Sequence, residues 1–192
     1  MRKFDSARVR LALIAILVAS VSVSAAPPER TRITASSTSI SAQNTDGVYA
    51  QVSMSEQMEV TNGVATTSKH LQLFGDFGAC GYMSHWDPNG NVTLSVSGRN
   101  SRSGQGTYEG VHPYTTQAIT VTISGSSTTS YTSRIRGVLE DATSKQQIAI
   151  VQDESPMTSP QVDVALDGTS CFSGPFESGS ITTAEQRVTV TQ

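Results

Sequence analysis

Two short runs in this chain alternate strictly between apolar residues and residues that carry a hydroxyl group. Residues 92–98 read VTLSVSG, and residues 119–125 read ITVTISG. Successive side chains of a β-strand point to opposite faces, so this pattern places every apolar residue on one face. An amphipathic helix would need apolar residues three and four positions apart, which neither run has. Both runs therefore predict antiparallel strands with one buried face and one solvated face.

The remainder of the chain, after its N-terminal segment, also lacks helical spacing and shows further strand patterns separated by turn residues. Further strands are predicted at residues 33–42, 48–54, 69–74, 132–139, 147–152, 161–166 and 187–191. Two surface loops are predicted, at residues 100–106 because of their glycines and at residues 153–160 because of Pro156 and Pro160. Roughly ten short strands at this spacing predict an all-β fold, a single antiparallel β-sandwich or a partly closed barrel.

The N-terminus has the composition of a signal peptide. Four basic residues precede an apolar run at residues 11–19, and small residues follow at positions 23–26. The run is short for a membrane span, which needs about 20 apolar residues. We therefore expect residues 1–25 to be a cleaved signal peptide and residues 26–192 to form one exported domain, periplasmic or extracellular. An uncleaved membrane anchor is the alternative.

The charge of the mature chain argues against nucleic acid as a partner. The full chain has 13 Lys and Arg against 16 Asp and Glu; cleavage after Ala25 removes four basic residues and Asp5, leaving nine against fifteen, a net charge near −6. Affinity for phosphate backbones comes largely from clustered Lys and Arg. The sequence therefore predicts no nucleic-acid binding and no membrane span after cleavage. A surface glycan, another polymer or a protein remains as the partner.

The two cysteines, Cys80 and Cys171, are predicted to form a disulfide because exported proteins fold in oxidising compartments. Two buried thiols are the first alternative. A catalytic cysteine beside His85 is the second.

Residues 79–93 read ACGYMSHWDPNGNVT and contain the only tryptophan. The DPNG segment has the residues of a type I turn followed by a glycine bulge. A hairpin closed by this turn would place Trp86 opposite Val92 on the apolar face. The sequence thus predicts that Trp86 is a core residue and that His85 faces solvent.

The same turn carries oxygen ligands at Asp87, Asn89 and Asn91, a spacing that resembles the start of a calcium loop. The glycine precedes the third ligand and no glutamate closes a twelve-residue loop. We therefore predict no metal site here, although these three residues are the best calcium candidates in the chain. No other cofactor is predicted.

Three histidines, His70, His85 and His112, could hold zinc or serve a hydrolase if the fold brought them together in a cleft with a carboxylate. Their separations match no local ligand motif, and the chain contains no GxSxG or SxxK motif. The sequence therefore favours a non-catalytic binding module. A small metal-dependent or His/carboxylate hydrolase is the alternative.

A glycan-binding module would need exposed aromatic residues, and the candidates outside the predicted Trp86 face are Tyr108, Tyr114 and Tyr131. The competing interpretation places these three tyrosines in the core. A further alternative is an assembly subunit in which the terminal strand, residues 186–192, pairs with a neighbouring molecule along an exposed edge.

Overall fold

The computed structural model describes residues 30–45, 49–88, 90–112, 114–140 and 143–191. The predicted signal peptide and its cleavage site lie outside these residues. No helix in the described ranges has the length and hydropathy needed to cross a membrane.

Twelve strands account for most of the described chain. They are β1 (Arg30–Asn44), β2 (Ala50–Thr61), β3 (Val64–Asp76), β4 (Tyr82–Asp87), β5 (Asn91–Ser97), β6 (Arg102–Val111), β7 (Ala118–Ser127), β8 (Tyr131–Glu140), β9 (Lys145–Thr158), β10 (Gln161–Leu166), β11 (Thr169–Pro175) and β12 (Ser178–Thr191). One turn of 3₁₀ helix, Gly78–Cys80, lies between β3 and β4.

The strands form two antiparallel sheets packed face to face. Sheet A has the order β4-β3-β2-β1-β12-β9-β8, and sheet B has the order β11-β10-β7-β6-β5. The prediction of an antiparallel β-sandwich is therefore confirmed. Several strands are longer than predicted: β1 has 15 residues and β9 and β12 have 14 each.

The core lies between the two sheets and follows the alternation seen in the sequence. In β7, Ile119, Val121 and Ile123 are buried, and in β5 Val92 is buried with Leu94 and Val96 packed beside it. Sheet A contributes facing residues from its own alternating strands, namely Ile40, Val52, Met54, Leu71 and Leu73. Burial of these side chains, at roughly 1.5–3 kcal/mol each, is the main force holding the sheets together.

The prediction of a loop at residues 100–106 is wrong, because β6 begins at Arg102. Its glycines face the core where large side chains from sheet A occupy the space. A Cβ on Gly104 would lie 2.9 Å from Ile181 Cδ1, and one on Gly106 would lie 2.9 Å from Met54 Sδ. The glycines therefore mark close packing in a strand.

The predicted loop at residues 153–160 is also wrong over most of its length, since β9 continues to Thr158. The pairing of β8 with β9 ends where Tyr131 meets Glu154. Beyond that point β12 is the only described strand that pairs with β9, and Ser180 lies opposite Pro156 there. The proline is tolerated there because the strand has a ladder on one side only.

The predicted hairpin between β4 and β5 does not form. β4 pairs with β3 in sheet A, whereas β5 pairs with β6 in sheet B, so the turn connects the two sheets. Because Leu73 faces inward and lies opposite His85, His85 points inward, and Trp86 is 65% exposed. The predicted positions of Trp86 and His85 are thus both wrong.

The disulfide between Cys80 and Cys171 is confirmed, with the two sulfur atoms 2.05 Å apart. It joins the 3₁₀ turn beside sheet A to β11 at the edge of sheet B. The aromatic rings of Phe77, Phe172 and Phe176 pack against one another there, with ring centres 5.8–6.3 Å apart. The crosslink therefore closes one end of the sandwich over an aromatic cluster.

The assembly alternative requires residues 186–192 to lie at an exposed edge of a sheet, and the structure does not place them there. These residues up to Thr191 belong to β12, which lies between β1 and β9 in the middle of sheet A. The free edges are β4 and β8 in sheet A and β5 and β11 in sheet B. An assembly role would have to use one of these, and β8, in which every residue is exposed, is the most accessible.

Candidate functional site

The outer face of sheet A carries four exposed aromatic side chains and one half-buried imidazole beside the β4 edge. We name this group the aromatic edge and define it as Tyr49, His70, Phe74, Tyr82 and Trp86. Trp86 is 65% exposed and Tyr82 is 57% exposed, while Tyr49 and Phe74 are each about two-fifths exposed. Exposed apolar groups that lie together are uncommon on soluble proteins and often mark an interaction site.

The pairing of β3 with β4 brings these residues to one face. Leu71 and Leu73 of β3 point into the core, so His70, Gln72 and Phe74 point outward. In the register of the pair, Gln72 lies opposite Trp86 and Phe74 lies opposite Ser84. The side chains of Tyr82, Ser84 and Trp86 therefore share the outer face with those of β3.

The rings of the aromatic edge hold one another in place. Phe74 meets Tyr49 and Tyr82 edge to face, with ring centres 5.8 Å and 5.7 Å apart. Trp86 stacks on the imidazole of His70 at 6.3 Å, with an angle of 6° between the ring planes. Such contacts reduce the freedom of the rings before any ligand arrives. Tyr82 and Trp86 are four residues apart on one strand, a separation of about 13 Å.

Uncharged polar side chains lie between and beside the rings. Gln72 and Ser84 are exposed between Phe74 and Trp86. Across the sheet, the row that contains Trp86 and Gln72 continues through Ser53, Ser41 and Ser180. The surface therefore offers flat apolar rings next to amide and hydroxyl groups, without a formal charge in this row.

The three tyrosines proposed from the sequence occupy three different environments. Tyr114 is 64% exposed and its hydroxyl donates to the backbone oxygen of Ser84 at 3.3 Å, beside the aromatic edge. Tyr131 is 66% exposed at the opposite edge of sheet A, on β8. Tyr108 is 1% exposed, so the glycan-binding interpretation is wrong for this residue and the competing interpretation as a core residue is correct. A binding role for Tyr114 and Tyr131 stays a prediction.

Tyr108 lies between the sheets and accounts for the inward-pointing polar residues of β4. Its hydroxyl donates to Asp87 Oδ2 at 3.1 Å and lies 3.5 Å from His85 Nε2. Burial, together with the hydrogen bond to Asp87 and the negative charge of that carboxylate, raises the pKa of Tyr108 to about 12. Asp87 and His85 can face inward because they have this polar partner.

The raised pKa predicts a loss of stability at alkaline pH. Tyr108 in the unfolded chain ionises near pH 10, whereas in the folded chain its pKa is about 12. The unfolded state therefore loses its proton first, and the free energy of unfolding falls as the pH rises from about 10 to 12. We expect this fall to be smaller in the Tyr108→Phe variant, measured by urea unfolding at each pH. If the free energy of unfolding falls equally with pH in both proteins, the raised pKa of Tyr108 is contradicted.

The turn with the three calcium candidates does not present them together within the described residues. Asn89 lies outside those residues. The carboxylate of Asp87 accepts from Tyr108, and the amide of Asn91 donates to Glu109 Oε2 at 3.5 Å. The described ranges contain no group of three His, Cys, Asp or Glu side chains that could hold a metal ion.

The three histidines are distributed over different parts of the fold. His70 lies on the outer face of sheet A against Trp86, whereas His85 points into the sandwich. His112 is buried after β6, where its Nδ1 accepts from the backbone N–H groups of Tyr114 and Thr115, each at 3.2 Å. The structure therefore does not bring His70 and His85 into one cleft.

Sequence reasoning missed Tyr49, Phe74, Tyr82 and Trp86 as surface residues. One signal was present: Tyr82 and Trp86 are separated by four positions and so share a face of any strand that contains both. The hairpin interpretation assigned that face to the core. Only the pairing of β4 with β3 shows that it faces outward.

Comparison of this chain with protein-family models, curated protein sequences and solved structures found no match. The fold places the protein in the class of disulfide-linked antiparallel β-sandwiches. Fold class does not determine function, so the function is inferred from the chemistry of the surface.

Proposed function

We propose that this protein is an exported, non-catalytic module that binds a neutral glycan on the aromatic edge. The observation that carries the proposal is the aromatic edge, in which Tyr82 and Trp86 are the most exposed members. Its rings are held by contacts with one another, and amide and hydroxyl groups lie beside them.

The chemistry of a sugar matches this surface. A pyranose ring presents a patch of C–H groups that stacks on an aromatic face and a rim of hydroxyls that need hydrogen-bond partners. Trp86 and Tyr82 supply the aromatic faces. Gln72 and Ser84 lie beside these rings and can exchange hydrogen bonds with the sugar hydroxyls. The separation of about 13 Å between the two rings is long enough for more than one sugar unit.

Two other ligands fit this surface less well. Single-stranded nucleic acid also stacks on aromatic rings, but such sites add a positively charged groove along the backbone. The row from Trp86 through Gln72 to Ser53 contains no Lys or Arg. A hydrolase would need its catalytic groups gathered beside the substrate, whereas His70 and His85 point to opposite faces of sheet A.

The test is affinity electrophoresis and calorimetry of the mature protein with soluble neutral polysaccharides, namely a β-glucan, a xylan, a mannan and starch. We expect at least one of these to bind and the Trp86→Ala variant to lose about tenfold or more of that affinity, because each buried ring contributes on the order of 1.4 kcal/mol or more. The Tyr82→Ala variant should also bind the same polysaccharide more weakly.

Tyr131→Ala is the matched control, because Tyr131 is as exposed as Trp86 but lies on the far edge of sheet A. Its affinity should stay within about twofold of the parent. Binding that is unchanged in Trp86→Ala, or lost equally in Tyr131→Ala, would exclude the aromatic edge as the site. Binding only to another protein would replace the glycan by a protein partner.

A further inference from the structure

A cavity lies on the inner face of sheet A, where β1, β12, β9 and β8 meet the turn between β5 and β6. Its volume is about 720 Å³. Its charged lining residues are Arg99, Arg102, Arg134, Asp153 and Glu185. The aromatic edge faces the other way and lies at the other side of the sheet, so the two sites are separate.

The floor of the cavity consists of hydroxyl groups and one carboxylate. One row across the four strands contains Thr38, Thr183, Asp153 and Thr132, each opposite the next. Ser36 lies two residues before Thr38 on β1 and therefore on the same face. The hydroxyl of Thr132 donates to Asp153, so the donors that the floor offers to an oxygen-rich ligand are its other hydroxyl groups.

Arg102 forms the inner wall and is 9% exposed. Its Nη1 donates to Thr183 Oγ1 at 2.9 Å, and its Nη2 donates to Asp153 Oδ2 at 3.1 Å. The other oxygen of Asp153 accepts from the hydroxyl of Thr132. Asp153 is thus neutralised by Arg102 and has both carboxylate oxygens occupied, which fixes the wall in place. The buried Nε of Arg102 has no partner within the described residues.

The remaining charges leave the cavity positive. Arg99 and Arg134 form no ion pair with any described residue. Glu185 is the other acidic residue of the lining, and its carboxylate lies 4.0 Å from the guanidinium of Arg187. Two guanidinium groups that pair with no carboxylate of the described ranges therefore face a cavity on a chain whose overall charge is negative.

We propose that this cavity binds an oxyanion, and that the carboxylate of an acidic sugar is the ligand group it fits best. The guanidinium fork matches the two oxygens of a carboxylate, and the hydroxyls of the floor match those of a sugar. Arg99 and Arg134 would contact the anion, while Arg102 positions the floor through Thr183 and Asp153.

The experiment is an NMR titration of the mature ¹⁵N-labelled protein with sodium glucuronate, glucose and inorganic phosphate at low ionic strength. We expect glucuronate to give saturable shifts that cluster at the cavity lining and glucose to give none there. The Arg99→Gln/Arg134→Gln double variant should bind glucuronate at least tenfold more weakly. Added salt should weaken binding, because exposed charges are screened.

Arg136→Gln is the matched control for Arg134→Gln. Arg136 lies two residues along β8 on the same face, is exposed and does not line the cavity. We expect several-fold weaker binding in Arg134→Gln and a change within about twofold in Arg136→Gln. Equal losses in both variants would show a general charge effect and overturn the site.

Phosphate distinguishes the two sources of an oxyanion. Tighter binding of glucuronate supports an acidic sugar, and tighter binding of phosphate supports the same oxyanion site with a phosphorylated ligand. If neither glucuronate nor phosphate gives saturable shifts, the proposal is overturned. The Trp86→Ala variant should retain glucuronate binding, so failure of this site and failure of the aromatic edge are separately visible.

Discussion

Replacement of both Cys80 and Cys171 by serine is expected to lower the free energy of unfolding by about 4 to 5 kcal/mol. The two residues are 91 positions apart in the chain. A crosslink over so long a loop removes much conformational freedom from the unfolded chain, which is the main source of its stabilising effect in the chain-entropy model. It also holds β11, an edge strand of sheet B, against the turn beside sheet A.

Urea unfolding followed by far-ultraviolet circular dichroism measures this change. The parent protein should shift toward the double variant when a reductant is added, whereas the double variant should not respond. The double substitution is preferred to a single one because it leaves no free thiol to form intermolecular disulfides. An unchanged unfolding midpoint in the double variant would contradict a stabilising crosslink.

The fold class could be predicted because its determinants are local. The alternation in residues 92–98 and 119–125 assigns one face to the core whatever the neighbouring strands are, and Val92, Val121 and Ile123 are buried accordingly. The same reasoning failed for β6, where glycines led to the prediction of a loop. Gly104 has no side chain to alternate, and its role depends on Ile181 from the opposite sheet.

The position of Trp86 could not be predicted because it depends on a distant pairing. In YMSHWD either set of alternate residues is a plausible core face, since Tyr, Trp and Met are all commonly buried. The choice is made by β3, whose Leu71 and Leu73 face inward and set the register of β4. Met83 then enters the core and Trp86 faces solvent.

The cavity that contains Arg99, Arg102 and Arg134 could not be predicted from the sequence either. Arg99 and Arg102 were visible in the sequence as neighbours in a glycine- and serine-rich segment, which is usually a solvated loop. Arg134 lies on β8, and Asp153 lies on β9. Their meeting requires the strand order of sheet A, with β12 between β1 and β9, and sequence patterns do not specify that order.

The second large effect is expected at Gly75, near the end of β3. Its φ is +118°, and a Cβ there would lie 2.1 Å from the backbone oxygen of Tyr49 and 2.6 Å from Ala50 Cα. Backbone atoms cannot turn aside as the end of a side chain can. The Gly75→Ala variant should therefore lose about 4 kcal/mol of stability, from unfavourable backbone conformation and overpacking together. Urea unfolding measures the loss.

Two other glycines separate these contributions. Gly63, in the turn between β2 and β3, has φ +84° with nothing within 4 Å of its Cβ position, so Gly63→Ala should cost about 1 to 2 kcal/mol from backbone strain alone. Gly137 on β8 has open space and no positive φ, so Gly137→Ala should be nearly neutral. A Gly75→Ala loss no greater than that of Gly63→Ala would contradict the close approach of Tyr49.

The Gly75→Ala clash also displaces the backbone of Tyr49, at a cost in stability, and the ring of Tyr49 contacts Phe74. The aromatic edge should therefore loosen, and glycan affinity should fall in Gly75→Ala but not in Gly63→Ala.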